Sequence, residues 1–228
     1  GRTADRTGPV TPALSTTSGN GAATRGFTLR LPESWYEFDV WRATHTGDLA
    51  RLVDRRVAAE PDLEQHRGAL LRLLRQLAED AERKGALLVG AMLETVDDAG
   101  MLVASMTVFQ TEGAPDEADN TVEAIAGQLT AVAPVEGSST WRRVGVVELP
   151  AGRAVRVAGV ETSELGSRSL DCVVMQTLIP VPGGRGVLDV VLTSPQVELA
   201  EGMFDLFEAI SATLAWSSVT PALSTEGT

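Results

Sequence analysis

Four strand-like runs follow one another in the second half of the chain: Trp141 to Leu149, Arg153 to Glu161, Ser167 to Ile179 and Gly186 to Thr193. They are separated by Pro150-Ala151-Gly152, by a turn over Ser163 to Gly166, and by Pro180 to Gly184, all rich in turn-forming residues. A parallel pair needs a crossover of about a dozen residues or more, whereas hairpins close in a few. Connections this short therefore predict an antiparallel meander, and the rest of the chain has to cover it.

The preceding sequence supplies further strands and the helices. In Gly26 to Tyr36, GFTLRLPESWY, Phe27, Leu29 and Leu31 alternate with Thr28, Arg30 and Pro32, the pattern of a half-buried strand. Pro32 has no N–H to give a ladder, so the strand is expected to end there, with Trp35 buried at the corner. Phe38, Val40 and Trp41 predict a short second strand, and Leu49 to Val57 a helix that ends at Glu60-Pro61. From Pro61, Leu63, Leu70, Leu73, Leu74, Leu77 and Ala81 make one apolar stripe, a long helix closed by Lys84-Gly85. Ala86 to Glu94 and Met101 to Gln110 read as a strand pair, and Val122 to Leu129 as a short helix. Ser194 as N-cap and Pro195 at the first helical position predict a final helix whose apolar face runs from Val197 to Leu214. The order of elements implies an α+β fold: one antiparallel sheet of about six to seven strands covered by helices. Residues 26–216 form the expected single domain. Residues 1–25 and 217–228, rich in Gly, Ser, Thr, Pro and Ala, are expected to be disordered tails.

Composition excludes several function classes. A formal net charge of -12 argues against a nucleic-acid partner, which requires a basic face. No apolar run approaches the ~20 residues of a membrane-spanning helix, so no span is expected and the protein is expected to be cytoplasmic, or exported if a leader has been removed. The single cysteine, Cys172, rules out an internal disulfide and is expected in the core. With only His45 and His66, both expected at the surface, no His-rich metal site can be built. No nucleophile elbow, phosphate loop or dinucleotide fingerprint occurs, and the glycines at Gly183 to Gly186 belong to a turn. Asp116, Glu117, Asp119 and Glu123 lack calcium-loop spacing and suit a helix N-terminus instead. No enzyme activity and no cofactor are expected. Arginine supplies nearly all the positive charge, Lys84 being the only lysine, a bias typical of high-GC genomes such as those of actinobacteria.

A first strand closing in Leu31-Pro32-x-x-Trp35, a central meander, and a last strand entering through Ser194-Pro195 a helix of the form Phe204-Asp205-x-Phe207-x-x-Ile210-x-x-x-Leu214 resemble the PsbP-like superfamily over about residues 26–216. That superfamily includes an extrinsic subunit of photosystem II, a Ran-binding import regulator, LpqN-type lipoproteins and Eag-type chaperones. The two helices between Asp48 and Lys84 make a longer insertion than its compact members carry. The resemblance implies a non-enzymatic accessory or adaptor domain that acts by surface complementarity.

Arg142, Arg143, Arg153, Arg156, Arg168 and Arg185 concentrate in the meander of an otherwise acidic chain. One reading pairs them with Glu148, Glu161, Asp171 and Asp189 across a solvated sheet face. The other makes Arg142, Arg143, Arg153, Arg156 and Arg168 a docking surface for a protein partner, with self-association through that face or an uncovered edge as a variant. The alternative function is a carrier of a small apolar ligand, in a helix–sheet cavity lined by Leu74, Leu77, Met92, Met101 and Met106. Val10 to Thr16 and Val219 to Thr225 carry the same heptapeptide, VTPALST, one copy on each side of the domain. It arises from shared low complexity or serves as an extended motif that a partner reads.

Overall fold

A computed structural model describes residues 26–96, 100–165, 168–183 and 186–217. The core is a seven-stranded sheet in the order β2-β3-β4-β8-β7-β6-β5, every neighbouring pair antiparallel. Its strands are β2 (Trp35–Asp39), β3 (Leu88–Val96), β4 (Gly100–Thr111), β5 (Trp141–Leu149), β6 (Gly152–Leu165), β7 (Arg168–Pro180) and β8 (Val187–Ser194). The meander β5 to β8 is as its short turns require. Its last strand, β8, lies beside β4 and so joins the meander to the β2-β3-β4 half.

The two faces are covered by different helices. On one side lie α1 (Val40–His45), α2 (Asp48–Ala59) and α3 (Arg67–Arg83), which bury Val53, Leu70, Leu71, Leu74 and Ala78 against Tyr36, Phe38, Val89 and Ala91. The short α4 (Val122–Gln128) sits further along that side, against β5 and β6. On the other side α5 (Ala200–Ser211) buries Met203, Phe207 and Ile210 on Met106, Val108, Val173, Met175, Leu188, Val190 and Leu192. Period-two alternation sends neighbouring residues of one strand into different cores: Trp35 joins the α5 side and Tyr36 the α1–α3 side.

Several local expectations shift. The strand at Gly26 is only β1 (Gly26–Thr28) and lies outside the main sheet, paired instead with β9 (Ala215–Ser217) in a two-stranded ribbon. Leu29 and Leu31 go on to pack into the α5-side core without a ladder. The second strand begins at Trp35 and ends at Asp39, because Asp39 Oδ1 accepts from the Arg42 N–H at 2.7 Å and so opens α1 with Val40 and Trp41 inside it. The long helix splits into a 3₁₀ stretch (Pro61–His66) and α3, which ends on Gly85 at φ 76° with the Ala86 N–H bonded to the Ala81 carbonyl. Ser194 does not cap the last helix. Its hydroxyl donates to the Val103 carbonyl at 2.8 Å and accepts from the Gln196 N–H, a 3₁₀ turn (Val197–Leu199) follows, and α5 starts at Ala200.

The Pro32-x-x-Trp35 corner is as compact as its sequence implies. Trp35 N–H closes a turn onto the Pro32 carbonyl at 3.0 Å, and Arg56 from α2 donates to the carbonyls of Glu33 and Trp35 while lying 4.6 Å from the centre of the Tyr36 ring. Cys172 is buried, and burial pushes its thiol pKa up.

Strand β6 leaves no room at one point. A Cβ on Gly159 would lie 2.0 Å from the Trp141 carbonyl oxygen, whereas one on Gly145, in β5, would meet nothing within 4 Å. Gly159→Ala should therefore destabilise the fold by about 1–3 kcal/mol, the usual cost of overpacking. Gly145→Ala should leave stability unchanged or slightly raised, because a strand glycine carries an entropic cost. Urea unfolding of both variants measures the contrast.

Candidate functional site

The meander arginines do not share a face. Arg142 and Arg143 are adjacent in β5 and so point to opposite sides, as do Arg153 and Arg156 by their parity in β6. Arg142 pairs with Glu161 at 2.7 Å, and Arg153 with Glu123 of α4 at 2.6 Å and Glu148 at 3.3 Å. Arg156 lies opposite Thr177 on the α5 side, 8% exposed, and its Nη1 donates to Glu208 at 2.7 Å. Arg143 is exposed, 5.6 Å from the Trp141 ring, whose own neighbour is Phe204 of α5. The side chain of Arg168 and the whole of Arg185 lie outside the described residues, as do both VTPALST copies. Of the carboxylates, Asp171 accepts from the hydroxyls of Ser139 and Thr162, which with their hydrogen bonds hold its pKa down.

The residues expected to line a carrier cavity are not brought together either. Leu74 and Leu77 belong to the α1–α3 core, while Met92 and Met106 belong to the core under α5, across the sheet. They sit on opposite faces because consecutive layers of the sheet are filled separately, and Met101's side chain is outside the described residues. A cleft does exist between α4 and the end of the sheet, lined by Thr111, Ala114, Asn120, Ile125, Leu129, Leu178 and Val187. Its volume of ≈ 230 Å³ falls below the ~300–1,000 Å³ of typical small-molecule sites. The Asn120 amide at its wall is already spent on Ala114 and Asp116.

What the structure exposes is an edge. Strand β5 is one of the two edge strands of the sheet, β2 being the other, and Arg142 exchanges both backbone bonds with Val132 across its outer side, at 3.0 and 2.8 Å. Residues in step with Arg142 turn their backbone the same way, so Val144, Val146 and Glu148 also aim N–H and C=O outward. Among the described residues nothing pairs with them there. Val146 is 42% exposed, and Gly145 beside it leaves open space on the α5 side. Sequence periodicity contained the parity of the arginines; the free edge was hidden, because strand order depends on β8 crossing to β4. Elsewhere on the surface Trp41, at 63% exposure, stacks on His45 with ring centres 5.0 Å apart, and the Thr44 hydroxyl donates to Glu82 at 3.0 Å.

Buried polar atoms without partners mark where the sheet carries a cost. Among the described residues, Arg156 Nε and Nη2, the Thr177 hydroxyl, the Trp35 indole N–H and Asp189 Oδ1 have no hydrogen-bond partner. Desolvation pulls the Arg156 pKa down, and the Glu208 carboxylate partly offsets it. Burial pushes the Asp189 carboxyl up, while the Gln176 amide, donating at 2.8 Å, holds it down in part.

Solved structures to which the chain is similar include that of LpqN, involved in cell envelope biogenesis of Mycobacterium tuberculosis, at 10% sequence identity and a TM-score of 0.44, covering 86% of this chain and 85% of that one. No family model matches the chain, and no curated protein matches it significantly. No helix among the described residues is long and apolar enough to cross a membrane.

Arg156 is buried whereas its partner Glu208 is 62% exposed, so losing the carboxylate strands a buried charge while losing the guanidinium leaves a carboxylate in water. Glu208→Gln should destabilise by about 1–3 kcal/mol by stranding the buried guanidinium, whereas Arg156→Met, apolar and of similar length, should be neutral or stabilising; thermal unfolding distinguishes them. Asp189 gives a pH test. Because its folded pKa is raised, the folded state binds its proton more tightly than the unfolded state. Its contribution to stability is thus largest at low pH and is lost as pH rises from the ordinary 3.8 through the raised folded value. Asp189→Asn should flatten that fall and stabilise the protein at neutral pH. Glu37, also raised by burial, leaves a residual slope, while Asp48, Glu123 and Asp171, lowered by their partners, act at lower pH with the opposite sign.

Proposed function

We propose that this domain is a non-enzymatic binding module of the adaptor kind, which takes an extended stretch of a protein partner along the outer edge of β5. The observation that carries the reading is the row of outward backbone groups at Val144, Val146 and Glu148 on a nine-residue edge strand. Such an edge is a template for strand addition unless it is short, charged, bulged or covered, and Val144-Gly145-Val146 has none of these protections in its own side chains. Backbone pairing supplies affinity there, and side-chain chemistry supplies selectivity. Exposed Arg143, which has no carboxylate partner among the described residues, favours a partner segment with an acidic residue near the Trp141 end. The docking element is thus an edge and one arginine, in place of a whole arginine-bearing face.

Val146→Pro removes one outward N–H without touching the β5–β6 ladder, since its N–H points away from β6. Affinity capture from the native cell should lose the partner at least about tenfold with this variant, a change of ~1.4 kcal/mol. Arg143→Glu should lower recovery by a smaller, salt-dependent factor. Undiminished recovery with Val146→Pro would remove the edge from the reading.

A further inference from the structure

The open edge is complementary to itself. Of the two edge strands, β2 has five residues and β5 has nine, so β5 is the one that offers a length on which another strand can pair. Alternation puts Arg143, Gly145, Val147 and Leu149 on its α5 side. Val147 and Leu149 are partly buried against the core under α5, whereas Gly145 leaves open space. That core therefore reaches the margin of the sheet and ends there in a gap.

We infer that a second copy of this chain occupies the edge, the two β5 strands running antiparallel about a two-fold axis at Val147 and joining the two seven-stranded sheets into one. The inference rests on the edge reading above and names one occupant of that edge, with which any other partner must compete. The axis has to pass through a residue, because only then do the outward-facing Val144, Val146 and Glu148 pair among themselves. An axis at Val146 or earlier in the strand sets residues of the second copy opposite Arg143. That place is taken: Val132 is bonded to Arg142, and Ala131, running antiparallel to β5, comes next, opposite Arg143. An axis at Glu148 sets the two Glu148 carboxylates directly opposite each other, a destabilising pair. An axis at Val147 avoids both. Val146 and Glu148 then exchange backbone bonds with Glu148 and Val146 of the second copy, and Val147 faces its own counterpart. Leu149 of the second copy falls opposite Gly145, where an added Cβ would meet nothing within 4 Å, and by symmetry the second gap is filled in the same way. The two α5-side cores thereby become continuous. Pro150, with no N–H to offer, follows where the pairing stops and the chain turns back into β6. On the other face the two Glu148 side chains lie diagonally, each beside its own Arg153 at 3.3 Å.

The test uses the intact chain alone, with far-UV circular dichroism confirming the fold of each variant. Sedimentation velocity should show monomer passing to dimer as concentration rises, and Val146→Pro, which removes an outward N–H from each copy, should raise the dissociation constant at least about tenfold. Cysteine substitution reads the register. Residues directly opposite in a pair without mutual hydrogen bonds have Cβ atoms ~4.5–5.5 Å apart, within a small movement of disulfide geometry. Oxidised glutathione should therefore link Val147→Cys across two copies at least about tenfold faster than Gly145→Cys or Val146→Cys, the unaltered chain serving as the control for buried Cys172. A chain that stays monomeric up to about 1 mM overturns the inference, as does a dimer untouched by Val146→Pro or a link formed preferentially at position 145 or 146. A monomeric chain that still loses its captured partner in Val146→Pro keeps the docking edge and removes only the second copy.

Discussion

Strands β4 and β8 are far apart in sequence, and their pairing holds the two halves of the molecule in one sheet. Met106 lies opposite Leu192 and Val108 opposite Val190, all fully or almost fully buried under α5. On the reverse face the Ser105 and Thr193 hydroxyls share a hydrogen bond of 2.8 Å, and at the strand end Ser194 and Gln196 bond the carbonyl and N–H of Val103. A slip of one residue would exchange the apolar and polar faces of the whole junction, so the register is strongly specified. Everything outboard depends on it: the hairpin β3–β4 brings β2 and its helices on one flank, and the meander brings β5 to the other.

The same junction explains the uneven cover of the sheet. Helices α1 to α3 follow β2 and lie over its half, α4 lies over β5 and β6, and α5, entering from β8, fills the centre of the opposite face. Between α3 and α4 the central strands show half-buried polar residues, among them Gln176, Asp189 and Thr193. Asp189 there is a carboxylate with one oxygen unpartnered, which ordinary packing would replace by an apolar residue.

Much of this architecture was legible in the residues. The meander could be read because its turns contain Pro, Gly and Ser, and β5 begins and ends where alternation predicts. The α3 stripe and the apolar face of α5 were equally plain. The errors fall where a single side chain overrides periodicity: Asp39 caps a helix where a second strand was expected, and Ser194 serves the β4 junction in place of the α5 N-terminus. The meander arginines fall on two faces for a simpler reason, since Arg142 and Arg143 are neighbours on a strand and point to opposite sides. The edge was not legible, because which strand ends up outermost is a property of nonlocal pairing.

The ribbon of β1 and β9 sets how the domain responds to tension. Gly26 and Ser217 form its outermost pair, so a pull applied through the two ends of the chain separates adjacent strands from their tips and breaks the ribbon pair by pair. The load reaches Leu29 and Leu214, and through them the core, only after Thr28 and Ala215 have parted. A strand pulled lengthwise against its neighbours must lose all its bonds together, but here the strands unzip. The domain would thus yield at its ends under small forces while the seven-stranded sheet stays intact.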